Sequence, residues 1–159
     1  MSPSLIPIAH LFAVGDLMMD RLVGDFSAAD WRHRDAMGHD ARWIVGHLAV
    51  YRCRVAAWAG QPKSTMEWES AFQRGTSPAA VPDSLESSLL LAEFHAAHAR
   101  MEMGIPTLTD AALQHALSRK LPDGSDTIGG AIRFMVWHEA YHLGQLGLLR
   151  RLVGKLSIV

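Results

Sequence analysis

An all-α four-helix bundle is the fold this sequence predicts, and three observations lead to it. Apolar residues recur at three- and four-residue spacing through almost the whole chain, and no stretch alternates as a half-buried strand does. Stop and turn signals then divide that pattern into four long segments with short helical pieces between them. At 159 residues the chain suits one domain, 1–159, long enough to bury a core without a disulfide. The long linkers are compatible with an up-down-down-up threading, which periodicity by itself does not choose.

Each element follows from local signals. Ile8, Leu11, Phe12, Gly15, Met18, Met19, Leu22 and Val23 form a stripe ending at Gly24, which predicts a first helix over about residues 5–23. Ser27 stands three residues before Asp30 and starts a short turn near residues 28–31. Asp40 caps a second long helix, ARWIVGHLAVYRCRVAAWAG, with Trp43, Ile44, His47, Leu48, Tyr51, Val55 and Trp58 in its pattern and Gly60 and Pro62 as its stop. The stretch TMEWESAFQRGTSPAAVPD reads mainly as a connection with a short helix near 67–72; connections of this length commonly cover a pocket or an interface. Asp83 and Glu86 have capping-box spacing ahead of a third helix at about 84–103. A smaller piece at 110–117 leads to the Asp123-Gly124 turn. The last helix runs from Thr127 to near Gly154, with Ile128, Ala131, Met135, His138, Tyr141 or His142, Gln145, Leu148, Leu149 and Leu152 on its core side. Gly46, Gly144 and Gly147 each cost about 1 kcal/mol of helix propensity, which suggests places where helices approach closely.

Composition narrows the function classes. Apolar residues make up 49% and charged residues only 19% of the chain, against roughly 25% charged in an average soluble protein. Some apolar surface is therefore expected between subunits, as a homodimer. The formal charge is -1, and the only basic cluster, Arg150, Arg151 and Lys155, sits where a helix end accounts for it. No nucleic-acid partner is expected. The apolar opening lacks a basic leader region and is interrupted by Asp16 and Asp20, so neither a signal peptide nor a membrane span is expected. A cytoplasmic location is the remaining expectation. The one cysteine, Cys53, excludes an intramolecular disulfide and reads as an inert core residue.

Nine histidines is a high count for this length. His138 and His142 are the sharpest local signal, because four residues turn a helix by about 400° and leave the two rings only about 40° apart. Such a pair can share one metal ion, although the spacing also arises by chance. His47 lies in the apolar run WIVGHLAVY, where a buried ring needs both nitrogens satisfied, either by a metal or by hydrogen bonds to Tyr51, Gln145 or a carbonyl. His33 and His39 read as loop residues, and His10, His95, His98 and His115 lack a partner pattern.

GHLAVYR in the second long helix and WHEAYHLGQLGLLRR in the last resemble the DinB-like family of metal-associated four-helix bundles, which is related to the DinB-like thiol transferases. The resemblance extends from the first long helix through Arg151. It implies an up-down-down-up bundle and one metal site on His47, His138 and His142, with Gln145 as a helix-packing or ligand-orienting residue.

Three neutral histidines suit one divalent transition metal ion, zinc or nickel first, and leave a coordination position open for water or substrate. A small thiol could occupy that position and react with an electrophilic small molecule; this is the leading expectation. A non-catalytic metal-stabilised binding or oligomerisation module and a metal-dependent hydrolase are the alternatives. Asp16, Asp20, Tyr51, Glu139 and Gln145 are candidates for orienting the ligands, with Glu139 turned roughly 100° from His138. No catalytic acid or base can be assigned from the sequence.

Overall fold

The computed structural model describes residues 2–158. In chain order the helices are α1 (Ile6–Val23), α2 (Ala28–Arg32), α3 (Ala41–Trp58), α4 (Ser87–Gly104), α5 (Asp110–Leu113) and α6 (Ile128–Leu152). The four long ones, α1, α3, α4 and α6, form the bundle.

Side-chain acceptors start several of these helices. Ser27 and Asp30 cap α2 reciprocally, Asp40 accepts from the Trp43 amide at 2.9 Å to start α3, and Thr127 accepts from the Gly130 amide to start α6. The expected box before α4 does not form. Helix α4 begins at Ser87, Glu86 makes no capping bond, and Asp83 binds Arg32 at 3.0 Å instead. Buried Arg42 draws this segment inward, donating to the carbonyls of Pro82 and Leu85 at 2.7 and 2.6 Å. The late helical piece is also shorter than expected. After Leu113 the chain folds back on itself, with Ala116 bridging to Thr127 and the Leu117 amide donating to the Asp126 carbonyl at 2.7 Å.

Residue pairs give the direction of every long helix. Gly15 meets Glu139 and Leu22 meets Arg150, so α1 and α6 run parallel. Arg42 reaches Leu85, Arg52 lies over Phe94 and Ala59 touches Gly104, so α3 and α4 also run parallel. Trp43 meets His142 while Tyr51 meets His138, which sets α3 against α6. The threading is up-down-down-up. Two consecutive parallel helices need a long return connection, and residues 59–86 provide it, carrying 3₁₀ turns at Glu69–Phe72 and Pro78–Ala80.

The core divides along the bundle axis. Ile44, Leu48, Phe72, Leu90 and Leu146 lead one apolar cluster, and Phe12, Val55, Met101, Ile132 and Met135 lead the other. Between them lies a polar layer containing His47, Arg52, Glu139 and His142, all buried. The apolar stripe of α6 is narrower than the sequence suggests. Leu148 and Leu152 are about half exposed, as is Leu11 on α1, while Glu139 is inside. Among the described residues, no helix is long and apolar enough to cross a membrane.

Candidate metal centre

Antiparallel packing sets His47 of α3 opposite the α6 turn that carries His138 and His142. The Nε2 atom of His138 lies 3.1 Å from Nε2 of His47 and 3.2 Å from Nε2 of His142. One ring nitrogen from each residue lies within 4.8 Å of the others, so the three could hold one metal ion.

The outer nitrogens decide which lone pairs face inward. His47 donates its Nδ1 hydrogen to the Phe72 carbonyl at 2.8 Å, and His142 donates its Nδ1 hydrogen to Gln145 Oε1 at 2.6 Å. Each donation leaves the Nε2 lone pair of its ring aimed at His138. A hydrogen on His138 Nε2 can serve only one of those two neighbours, and Nδ1 of His138 is buried with no hydrogen-bond partner. A cation accepts all three lone pairs at once, so the donor set fits a divalent ion better than it fits internal hydrogen bonding.

Burial also keeps the rings neutral, as ligands must be. It pushes His47 down to about 3, with the neighbouring His142 adding to the effect, and it pushes His138 and His142 each down to about 4. Aromatic rings hold the imidazoles in place. Trp43 stacks on His47 at 4.6 Å, and Tyr51 lies 4.5 Å from the His47 ring and 4.9 Å from the His138 ring.

Gly46 is required for the Phe72 contact. A Cβ at this position would sit 2.3 Å from a Phe72 ring carbon. The glycine thus admits the crossover connection rather than another helix. Gly144 has nothing within 4 Å of its Cβ position, so the expected helix approach there does not occur, and a Cβ on Gly147 would make only an ordinary 3.8 Å contact with Leu22.

Of the other expected orienting residues, Gln145 and Tyr51 adjoin the cluster, whereas Asp16, Asp20 and Glu139 belong to a separate polar network. Arg52 donates to both Glu139 oxygens at 2.7 Å, to Asp16 at 2.7 Å and to the Phe12 carbonyl at 3.0 Å. His95 sits 3.0 Å from both Asp16 and Asp20. The spacing of the two aspartates does place them together, but on the side of α1 that faces α4. Glu139 is buried against Gly15, whose missing side chain makes its room. Sequence reasoning also missed three contributors: Trp43 as a stacking ring, Arg52 as the charge at the centre of the network, and the Phe72 carbonyl. A charged residue inside an apolar helical run was the available signal for Arg52; a backbone acceptor carries no sequence signal.

With this geometry in place, a family model described as the DinB superfamily matches residues 8–146, which include all three histidines. The chain belongs to the DinB superfamily. No curated protein matches it. Among solved structures, this DinB-superfamily chain is similar to YfiT from Bacillus subtilis, described as a probable metal-dependent hydrolase with an unusual four-helix bundle topology. The likeness has a TM-score of 0.68 at 19% identity, over 94% of this chain and 87% of that one. At that identity the likeness establishes the shared bundle; YfiT's description applies to YfiT.

Proposed function

We propose that the protein binds one divalent transition metal ion through His47, His138 and His142 and transfers a low-molecular-weight thiol to an electrophilic small molecule. The observation that carries the metal part is the convergence of the Nε2 atoms at 3.1 and 3.2 Å, with Nδ1 of His47 and His142 committed to Phe72 and Gln145. Zinc and nickel suit such imidazole donors, and three protein ligands leave a position for substrate. Bound there, the ion supplies Lewis acidity, lowering the pKa of a coordinating thiol or water.

The state of nearby acids favours thiol over water as the nucleophile. Glu139, the carboxylate next to His138 in sequence, has both oxygens bound by Arg52 and lies against Gly15 of α1. A thiol ionises near pH 8.5 before any ion holds it, whereas water falls from 15.7 to about 7–9 only when zinc holds it, so the thiol depends less on both the ion and a protein base. Its proton would pass to solvent and a sulfur–carbon bond would form as the carbon's bond to a leaving group breaks, that group departing with the bond's electrons; in an addition the π bond breaks instead and its electron pair takes a proton from solvent. Cys53 is not that thiol. Burial raises it to about 11, and it is held between Glu93 and Arg100.

Metal-dependent hydrolysis is the second reading, supported by the likeness to YfiT. The exposed Leu11, Val14, Trp137, Tyr141 and Leu148 on the neighbouring helices α1 and α6 support a homodimer. The metal reading is tested by metal content and affinity in wild type and in His47→Ala, His138→Ala and His142→Ala; undiminished stoichiometric binding in all three removes the triad. Turnover of zinc- or nickel-loaded protein with panels of thiols and electrophiles separates the reactions. Product formation that needs a thiol supports transfer, product formation without one supports hydrolysis, and metal binding without turnover leaves a binding module.

A further inference from the structure

We infer that a cleft beside the histidine cluster binds the acidic end of a small organic anion, which makes the substrate of the proposed reaction a carboxylate or a phosphate ester. The inference deepens the functional reading above and rests on it only for the role of the ion next to the cleft. The cleft has a volume of about 200 Å³ and lies between α3, α6 and the loop that precedes α6. Tyr51 and Trp58 of α3 and Met135 of α6 form its walls, and Arg54, Ser118 and Arg119 stand around it.

Its position ties it to the metal centre. Tyr51 is shared: its ring lines the cleft and also packs 4.9 Å from the His138 ring. Met135 precedes His138 by one helical turn. A molecule seated here is separated from the histidines by a single aromatic ring.

Its chemistry selects the ligand. No aspartate or glutamate is among the residues that line the cleft, whereas two arginines, Arg54 and Arg119, and Ser118 are. The Arg54 guanidinium lies over the Tyr51 ring at 4.5 Å, and Gln73 and Glu69, 3.7 Å away, hold its far side. Arg54 is therefore fixed in direction but partly neutralised. Arg119 is exposed and has no ion-pair partner among the described residues, so it supplies the unbalanced charge. Guanidinium groups bind carboxylate and phosphate oxygens in paired hydrogen bonds, while Trp58 and Met135 suit an apolar or aromatic body. The volume falls below the roughly 300–1,000 Å³ of sites for larger ligands, which favours a small acid over a nucleotide.

The test uses the full chain, chelator-treated and zinc-loaded, titrated calorimetrically with benzoate, phenyl phosphate and the neutral benzamide. Proton–nitrogen correlation spectra follow the Trp58 indole signal. Both anions are expected to bind at least about tenfold more tightly than benzamide in both forms, and to move the Trp58 signal. The tighter of the two anions names the source, carboxylate or phosphate. Arg119→Ala should weaken the anions about fivefold and Arg119→Glu should abolish their binding, with zinc affinity unchanged. Equal affinity for benzamide overturns the inference, as does anion binding seen only with zinc and indifferent to Arg119, which would place the anion on the ion. Zinc binding without any anion binding removes the cleft and spares the triad. Anion binding that responds to Arg119 in a protein that takes up no zinc does the reverse.

Discussion

Replacing Gly46 by alanine tests whether the crossover connection builds the metal centre. The new Cβ would lie 2.3, 2.5 and 2.6 Å from three carbons of the Phe72 ring, which must retreat by about 1 Å to reach an ordinary 3.4 Å contact. Phe72 has no exposed surface into which to move, and its carbonyl orients His47 through a 2.8 Å bond. Alanine raises helix propensity by about 1 kcal/mol, whereas overpacking a filled core costs about 1–3 kcal/mol. Gly144→Ala is the matched control, because its Cβ meets nothing within 4 Å and it should gain the propensity alone. The stability difference between the two variants, read by denaturant unfolding of metal-free protein, isolates the clash at about 1–3 kcal/mol. Zinc affinity, read by chelator competition, should fall about 10- to 100-fold in Gly46→Ala, the usual effect of disturbing a partner that orients a ligand, and stay constant in Gly144→Ala. If Gly46→Ala proves as stable as Gly144→Ala and binds zinc like wild type, the reasoning about Phe72 is wrong.

Four further outcomes follow from the same packing. Gln145→Leu removes the acceptor that holds His142 at 2.6 Å, and zinc affinity measured by competition should drop about 10- to 100-fold while the unfolding midpoint hardly moves. Arg52→Met strands Glu139 in the interior and should destabilise by about 3–5 kcal/mol in denaturant unfolding; adding Glu139→Leu should restore part of that loss. Acid should destabilise the metal-free protein in a defined window: unfolded histidines take up protons near pH 6.5, but the buried three do so only near 3 to 4. Stability is then full above pH 6.5 and declines as pH falls toward 4, a slope that circular dichroism should show flattened in His47→Ala. Leu148→Lys combined with Leu11→Lys should convert a dimer to a monomer by solution mass with zinc affinity unchanged, and a wild-type monomer removes the homodimer.

What could be read from the sequence was periodic and local. Helix existence, the caps at Ser27 and Asp40, the start of the last helix near Thr127, and the shared face of His138 and His142 all depend on neighbours within a few positions. Direction was not local: a stripe says which face is buried and not whether the next helix runs up or down, so the parallel pairing of α3 with α4 needed residues such as Arg42 and Leu85 to be seen together. The misplacement of Asp16 and Asp20 has the same origin. Their four-residue spacing correctly gave one face, shared at His95, but nothing local said that this face turns to α4. The 100° turn from His138 left Glu139 as a candidate for orienting the ligands and gave no sign of its place in a second network, because a single buried stripe was assumed. Helix α6 packs against both α1 and α3, and Gly15 opens α1 at the point where the carboxylate enters.

That second buried face explains how the histidine cluster and a salt-bridge network coexist on one helix without interfering. His138 and Glu139 are consecutive, so rotating α6 to bring one toward α3 necessarily moves the other relative to α1. Arg52, one residue beyond Tyr51 on α3, grips both Glu139 oxygens and Asp16 of α1, with its guanidinium 3.6 Å above Phe94 of α4. A bidentate grip resists rotation more than a single hydrogen bond does, because turning the carboxylate lengthens one of its two bonds. The network therefore sets the angle of α6, and with it the spacing of His138 and His142 from His47. Its acids are consumed in doing so. Glu139 and Asp16 are held by Arg52 on one side of α6, and the three imidazoles are left as the donor set on the other.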